Sequence, residues 1–178
     1  KLIVIGDPHF KTTNLPEVDL FVEKIEELAN QIWPDMIIVL GDLLHEHERL
    51  HTTPLNKAYD FIRKMSEIAP TVVLVGNHDL INNRQFLTEN HWMNAKKEWD
   101  HVTIIDKVEK IGDFVFCPYV PPGEFEAALQ TNPEVDYKSD DGIIFCHQEF
   151  FGCKMGAIDS IEGDKWPKGY TPVISGHI

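Results

Sequence analysis

Apolar residues cluster along this chain in short unbroken runs, each closed by a small or polar residue. Leu2-Ile3-Val4-Ile5 stops at Gly6, Met36-Ile37-Ile38-Val39-Leu40 at Gly41, and Val72-Val73-Leu74-Val75 at Gly76. Runs that do not alternate with polar residues predict strands buried on both faces. Between them the spacing changes to that of a helix: Val18, Phe21, Val22, Ile25, Leu28, Ala29 and Ile32 repeat from Pro16 to a stop at Pro34. A second helical repeat, Leu55, Ala58, Tyr59, Ile62 and Met65, runs up to Pro70, and Thr71 to Val75 follow as the third strand. Strand, helix, strand, helix, strand in this order predicts a mostly parallel α/β sheet, in which ligands bind beyond the strand C-termini.

The second half is more broken. Val102–Ile105 and Phe114–Cys117 predict two more strands with a turn at Ile111-Gly112-Asp113, and Phe125–Leu129 a short helix. Residues 82–100, rich in Asn with Trp92 and Trp99 as anchors, predict short helices under a long loop. After a turn at Asp140-Asp141-Gly142, Ile143–Cys146 is a strand that runs into His147. The Gly- and charge-rich stretch 148–171 is expected to be a surface loop, and Pro172–Ser175 is a last short strand before Gly176-His177-Ile178.

At 178 residues and 43% hydrophobic content, the chain is expected to form one globular domain, 1–178. No apolar run approaches the roughly 18 residues a membrane span needs. Lys and Arg total 16 against 29 Asp and Glu, and a formal charge of -13 opposes diffuse attraction to a polyanion. A nucleic-acid substrate would need a local basic patch or bound cations. Cys117, Cys146 and Cys153 show no paired spacing and are expected to be reduced, which suits the cytoplasm or another reducing compartment.

The candidate chemistry lies where the strands end. The five runs deliver Asp7 and His9, Asp42, Asn77 with His78 and Asp79, His147, and His177. Any one of these alone reads as a polar turn, but five strands with the same ending point to a shared site. Mixed Asp, His and Asn ligands suit Mn, Fe, Zn or Co better than Mg or Ca, and the absence of cysteine from the set argues against structural zinc. The groups outnumber the needs of one ion. Two ions about 3.5–4 Å apart, bridged by a carboxylate, are the arrangement used for displacement at phosphorus.

The order Asp-x-His, Gly-Asp, Gly-Asn-His-Asp, His, Gly-His resembles the calcineurin-like metallophosphoesterases, with the motifs spanning Asp7 to His177. That resemblance implies an αββα sandwich of two mixed sheets flanked by helices. It implies two divalent ions, manganese first and Fe, Zn or Co as alternatives. Asp7 and His9 would hold the first, Asp42 would bridge, and Asn77, His147 and His177 would hold the second. His78 would protonate the leaving oxygen or stabilise the transition state, oriented by Asp79. The family's last motif is Gly-His-x-His, whereas this sequence stops at Ile178, so the catalytic domain is expected to be cut at its C-terminal end. No Gly-x-Ser-x-Gly elbow or cysteine nucleophile motif is present, in keeping with direct attack by water.

The stretch Gly41-Asp42-Leu43-Leu44-His45-Glu46-His47 with its following helix resembles the SbcD-type DNA-repair nucleases, where a histidine or acid also stands three residues after the bridging Asp. This implies a phosphodiesterase with nuclease-like activity on DNA or other nucleic acid, with His45 as a substrate-binding candidate. Lys11, Arg49, Arg84 and Lys154 are further candidates for phosphate contact. Two other classes stay open. A small-molecule phosphatase or cyclic-nucleotide phosphodiesterase would use the same centre with a narrower pocket, closed by Trp92 to Trp99 or by 148–171. A non-catalytic scaffold on this fold would be marked by loss of His78, which is present.

Overall fold

Strand β1 (Leu2–Ile5) pairs with β2 (Met36–Val39), β2 with β3 (Thr71–Leu74) and β3 with β4 (Val102–Ile105), all in parallel. This is a computed structural model that describes residues 1–139, 141–155 and 158–177. Helix α1 (Leu15–Ile32) connects β1 to β2, and α2 (Thr52–Ile68) connects β2 to β3. Pro16 sits in the first turn of α1, where its missing N–H has no helical partner, and Trp33 ends the helix in a left-handed conformation at φ 52°.

Along each strand successive side chains point to opposite faces, and here both faces are covered. Ile3, Ile5, Ile37, Val39 and Val73 pack against Val18, Val22 and Ala29 of α1 and Ala58, Phe61, Ile62 and Met65 of α2. The alternate residues Ile38, Leu40, Val72, Leu74 and Ile105 meet Phe116 and Phe145 of a second sheet. Burying each of those two phenylalanines completely is worth roughly 2–3 kcal/mol.

The second sheet takes β5 (Glu109–Ile111), β6 (Phe114–Cys117) and β7 (Ile143–His147). Past β7 the chain makes a small antiparallel hairpin of β8 (Lys154–Met155) and β9 (Ile158–Asp159) and returns as β10 (Val173–Gly176), giving the order β10-β7-β6-β5. Between β6 and β7, helix α3 (Phe125–Gln130) lays Phe125, Ala128 and Leu129 over Val115, Cys117, Ile144 and Cys146. The result is the helix, sheet, sheet, helix sandwich that the resemblance implies. The second sheet is mixed, because β5 runs antiparallel to β6, while the first is parallel throughout.

Three local features differ from expectation. Ile111 belongs to β5 and only Gly112 and Asp113 turn; Glu109 and Lys110 hid this three-residue edge strand behind charge. The stretch 148–171 carries the β8–β9 hairpin, which has too few apolar positions to show a period. In 82–100 the helical content is one 3₁₀ segment, Asn94–Glu98. Asp140 of the expected 140–142 turn, and Ile178, lie outside the described residues.

The three cysteines are free, with Cys117 and Cys146 side by side on β6 and β7. Burial pushes both thiols up, Cys146 to about 12, so they are protonated and unreactive near neutral pH. No helix among the described residues is long and apolar enough to cross a membrane.

The two sheets touch at the edge where β1, β2, β3, β7 and β10 end. There the Tyr119 N–H donates to Val75 O at 2.8 Å and the His147 Nδ1–H to Leu40 O at 2.7 Å. Five chain reversals are thereby gathered at one place.

Candidate metal centre

The reversals are tight, and the backbone shows it. Among the described residues seven non-glycine positions have positive φ, and four of them are candidate ligands: Asp7 at 25°, His9 at 47°, Asp42 at 50° and His177 at 58°. A left-handed conformation costs roughly 1–2 kcal/mol for a residue with a Cβ, so strain is concentrated where the site is built. Hydrogen bonds hold it in place: the His9 N–H donates to Asp42 O at 2.9 Å, and the Phe10 N–H to Leu43 O at 2.8 Å. Gly76 is needed for a different reason. Its backbone is extended, at φ -86°, but a Cβ there would overlap Asp42 Oδ1 and the Asp42 backbone nitrogen.

Asp42, 2% exposed, is the convergence point. Its Oδ1 accepts from the His78 N–H at 2.8 Å, and its Oδ2 lies 3.7 Å from His9 Nε2 and 3.4 Å from His147 Nε2. His147 Nε2 also stands 3.0 Å from Asn77 Oδ1. Because the other ring nitrogen of His147 donates to Leu40 O, Nε2 is the one left to ligate, the orientation that a backbone carbonyl commonly imposes on a metal-binding histidine. On the first-site side, Asp7 Oδ2 accepts from the His177 N–H at 2.8 Å.

Burial opposes charge on His147, but the Asp42 carboxylate, with Asp7 beyond it, outweighs burial and raises its pKa. Asp42 is the reciprocal case, raised by burial and lowered further by its hydrogen bond to His147. His177 is held toward the neutral form by burial and then by His147; His9 is lowered chiefly by burial, with the Asp42 charge pulling the other way. Neutral imidazole is the form that binds a metal.

Do these residues fit the ions their chemistry implies? Asp7 Oδ1 and His9 Nδ1 are buried polar atoms with no hydrogen-bond partner, a costly condition unless something else satisfies them. One ligand atom each from Asp42, His147 and His177 lies within 4.8 Å of the others, as does one each from His9, His45 and His78. The predicted ligands Asp7, His9, Asp42, Asn77, His147 and His177 are brought together, and their carboxylate, amide and imidazole donors suit divalent cations.

His78 stands at the mouth of this cluster, with its Nδ1–H on His45 O, so Nε2 is its free nitrogen. Asp79 does not orient it. Asp79 Oδ2 accepts from the Gly76 N–H at 3.0 Å and Oδ1 from Trp92 Nε1–H at 2.9 Å, which ties the carboxylate into the turn itself. Fully buried and next to the Asp42 charge, Asp79 has its pKa pushed up to about 6. The part expected of Asp79 is taken by the 45–47 stretch: the His45 carbonyl takes the Nδ1 proton, and the His47 ring stacks on His78 with centroids 4.5 Å apart at 12°. His47 is itself held by Asn77 O, 2.9 Å from its Nδ1. The His45 side chain is at the exposed rim, its pKa lowered by burial and then by Lys11.

Tyr119 also went unread in the sequence. It packs edge-on against His177 and His147, with centroids 5.5 and 6.2 Å away, and its hydroxyl donates to Asn83 O at 3.1 Å. Its one signal is its position just past the end of β6, which sequence alone cannot separate from any other loop aromatic.

A family model described as calcineurin-like phosphoesterase matches residues 1–165. His177 lies beyond that match, so its place in the centre rests on the geometry above. The chain is 52% identical over 183 residues to "Putative phosphoesterase 244L" of Invertebrate iridescent virus 6, covering 100% of this chain and 64% of the relative. It is 51% identical over 181 residues to "Putative phosphoesterase 078R" of Invertebrate iridescent virus 3, covering 99% and 52%. The chain thus spans between half and two thirds of the length of these relatives. Among solved structures, the Pseudomonas putida nuclease MPE aligns at a TM-score of 0.42 and 18% identity, over 65% of this chain and 51% of its own. At that distance it carries no argument.

Proposed function

The chain belongs to the calcineurin-like phosphoesterase family, and from that premise we propose that it is a two-metal phosphodiesterase acting on nucleic acid. The observation that carries the reading is the convergence on Asp42 Oδ2 of His9 Nε2 and His147 Nε2, with Asp7 Oδ1 and His9 Nδ1 buried and unpartnered beside it. Asp7, His9 and Asp42 would hold one ion and Asp42, Asn77, His147 and His177 the other, manganese being the ion proposed first for this donor set. Such ions supply Lewis acidity toward the phosphoryl oxygens and the attacking water, and offset the charge that builds up during in-line displacement.

The chain's own groups do the rest. With its Nδ1–H fixed on His45 O, His78 presents Nε2 to the mouth of the centre, where as imidazolium it donates a proton to the leaving oxygen. Its own backbone N–H donates to Asp42 Oδ1 at 2.8 Å, which ties residue 78 to the carboxylate that would be shared. His45, on the exposed rim with one ring nitrogen near those of His9 and His78, would contact a nonbridging oxygen of the substrate.

The test is hydrolysis of bis-p-nitrophenyl phosphate and p-nitrophenyl phosphate side by side, with added manganese and with chelator. Diester turnover that dominates and is abolished by chelator is expected. Dominant monoester turnover would replace this reading with a small-molecule phosphatase, and no turnover of either with no metal retained would replace it with a non-catalytic scaffold.

A further inference from the structure

In a chain with 29 acidic and 16 basic side chains, most cations are consumed internally. Lys24, Lys57, Arg63, Lys64, Lys97, Lys107, Lys138 and Lys154 each lie within 4 Å of a carboxylate. This removes Lys154, a candidate on sequence grounds, since it faces Asp159 at 3.5 Å. Lys96 and Lys165 sit over aromatic rings, and Lys1 and Lys110 donate to the carbonyls of Ile32 and Glu134. The cations with no such engagement among the described residues are Lys11, Arg49, Arg84 and Lys168.

Two of these four stand together. Lys11 and Arg49 line one shallow depression with His45, His51 and Glu46, whose carboxylate lies 3.4 Å from His51 Nε2. The backbone fixes it against the centre: the His45 N–H donates to Phe10 O at 3.2 Å, the Lys11 N–H to Asn14 Oδ1 at 2.9 Å, and Asn14 Nδ2–H to His9 O at 3.1 Å. Lys11 is thus two residues from one candidate ligand and across a bridge from His45.

The other flank of the centre lacks such cations. A groove of about 390 Å³ between His47 and Trp92 is lined by Glu48, Asp79 and Glu89, with no Lys or Arg. At a net charge of -13, a second phosphate would be repelled along that groove and attracted on the Lys11 side.

We infer that Lys11 and Arg49 form a subsite for the phosphate adjacent to the scissile one, so that the substrate is a polynucleotide strand whose backbone leaves the centre over His45. The inference rests on the phosphodiesterase reading. It is tested with Lys11→Gln, Arg49→Gln and the double variant, and with Lys24→Gln as a control that removes the same charge from α1. The first readout is fluorescence anisotropy of a labelled single-stranded oligodeoxynucleotide in EDTA over a range of salt. The double variant is expected to reduce the log-log salt slope by about 0.7, the worth of one lost phosphate contact on a single strand. With manganese, the ratio of kcat/KM on the oligonucleotide to that on bis-p-nitrophenyl phosphate should fall about fivefold in each single variant and roughly 20-fold in the double. Lys24→Gln should leave the slope and the ratio where they were.

An unchanged slope, or equal losses on both substrates, would overturn the subsite. If the unaltered protein hydrolyses neither substrate, the phosphodiesterase reading falls, while the salt slope in EDTA still decides whether Lys11 and Arg49 meet phosphate.

Discussion

Gly6 and Gly76 look alike in the sequence, each closing an apolar strand ahead of candidate ligands, yet replacing them with alanine should have opposite consequences. At Gly76 the backbone is extended, which alanine tolerates, so the penalty is one of space. The new Cβ would overlap Asp42 Oδ1 and the Asp42 backbone nitrogen. The carboxylate can rotate away only by giving up its 2.8 Å hydrogen bond from the His78 N–H. The backbone nitrogen has no rotamer to move to, and the chain around it is tied to β1 by the His9 N–H on Asp42 O. The ends of β2 and β3 must therefore part. Overpacking of this kind costs about 1–3 kcal/mol and loss of a hydrogen bond to a buried charge about 1.5–3 kcal/mol. Because relieving the overlap and keeping the bond are alternatives, a net of about 3 kcal/mol is expected, and at this chain length that lowers Tm by roughly 6–12 °C.

At Gly6 an added Cβ meets nothing within 4 Å. Alanine there should change stability by less than about 1 kcal/mol, with the loss of unfolded-state entropy favouring the variant. Thermal unfolding of both variants in EDTA, followed by metal stoichiometry after reconstitution, separates the two. Gly76→Ala should melt lower and retain less metal. If it melts with the unaltered chain, or if Gly6→Ala falls as far, then the close approach of β3 to Asp42 is not what the site depends on.

His78→Ala should cut manganese-dependent diester turnover about 10²- to 10⁴-fold while metal content, read by elemental analysis, stays near that of the unaltered chain; Asp42→Ala should lose metal and turnover together. Full turnover in the His78 variant would remove its assigned role. His47→Ala should lower kcat about two- to tenfold, the worth of one ring stack, with KM and metal content nearly unchanged; His47→Phe should recover most of it, and a loss carried in KM instead would mean that His47 meets substrate. Asp106 is buried 3.0 Å from His91 Nε2 and beside Lys97, and although burial raises its pKa, those partners hold it below the ordinary carboxylate value. A depressed acid contributes stability above its unfolded pKa, near ~3.9, and loses it as pH falls through the folded value. Asp106→Asn should therefore cost about 1–3 kcal/mol at pH 7 and nothing once both proteins are below that range; denaturant midpoints against pH would show the curves converge, and parallel curves would refute it.

How much of this was legible depended on what kind of signal carried it. Strands buried on both faces give runs such as Met36–Leu40 and Thr71–Val75 that cannot be mistaken for loops, so the parallel first sheet and its two helices could be read directly. The candidate ligands stood out because each follows such a run. What the sequence could not carry was any relation set by a backbone atom. The His45 carbonyl that holds His78, the Leu40 carbonyl that holds His147, and the two oxygens of Asp79 turned to Gly76 and Trp92 depend on chain geometry rather than on residue type. Asp79 is the instructive case. A carboxylate next to a histidine suggests a pair, but the 3₁₀ turn Asn77–Asp79 folds Asp79 back under Gly76 and leaves His78 to the neighbouring loop. His47 and Tyr119 act through ring faces and edges, which spacing does not encode.

The contacts that build the centre also bind the two halves of the sandwich. His147 Nδ1–H on Leu40 O, the His177 N–H on Asp7 Oδ2, and His147 Nε2 near Asp42 Oδ2 all run from the second sheet to the first. Left-handed backbone at Asp7, His9, Asp42 and His177, and a buried carboxyl at Asp79 pushed up to about 6 by burial and by Asp42, both work against this seam. Cations shared by Asp42 would remove that opposition at its source. They would satisfy Asp7 Oδ1, offset the clustered carboxylates, and join ligands from both sheets. Binding to the folded state alone adds about 4 kcal/mol when the free ion is at 1,000 times its Kd, comparable to the strain of two or three left-handed residues. The seam between the sheets is therefore the part of the fold whose stability should follow metal most closely, and β1 and β10, the edge strands that deliver Asp7 and His177, should lose hydrogen-exchange protection first when the ions are withdrawn.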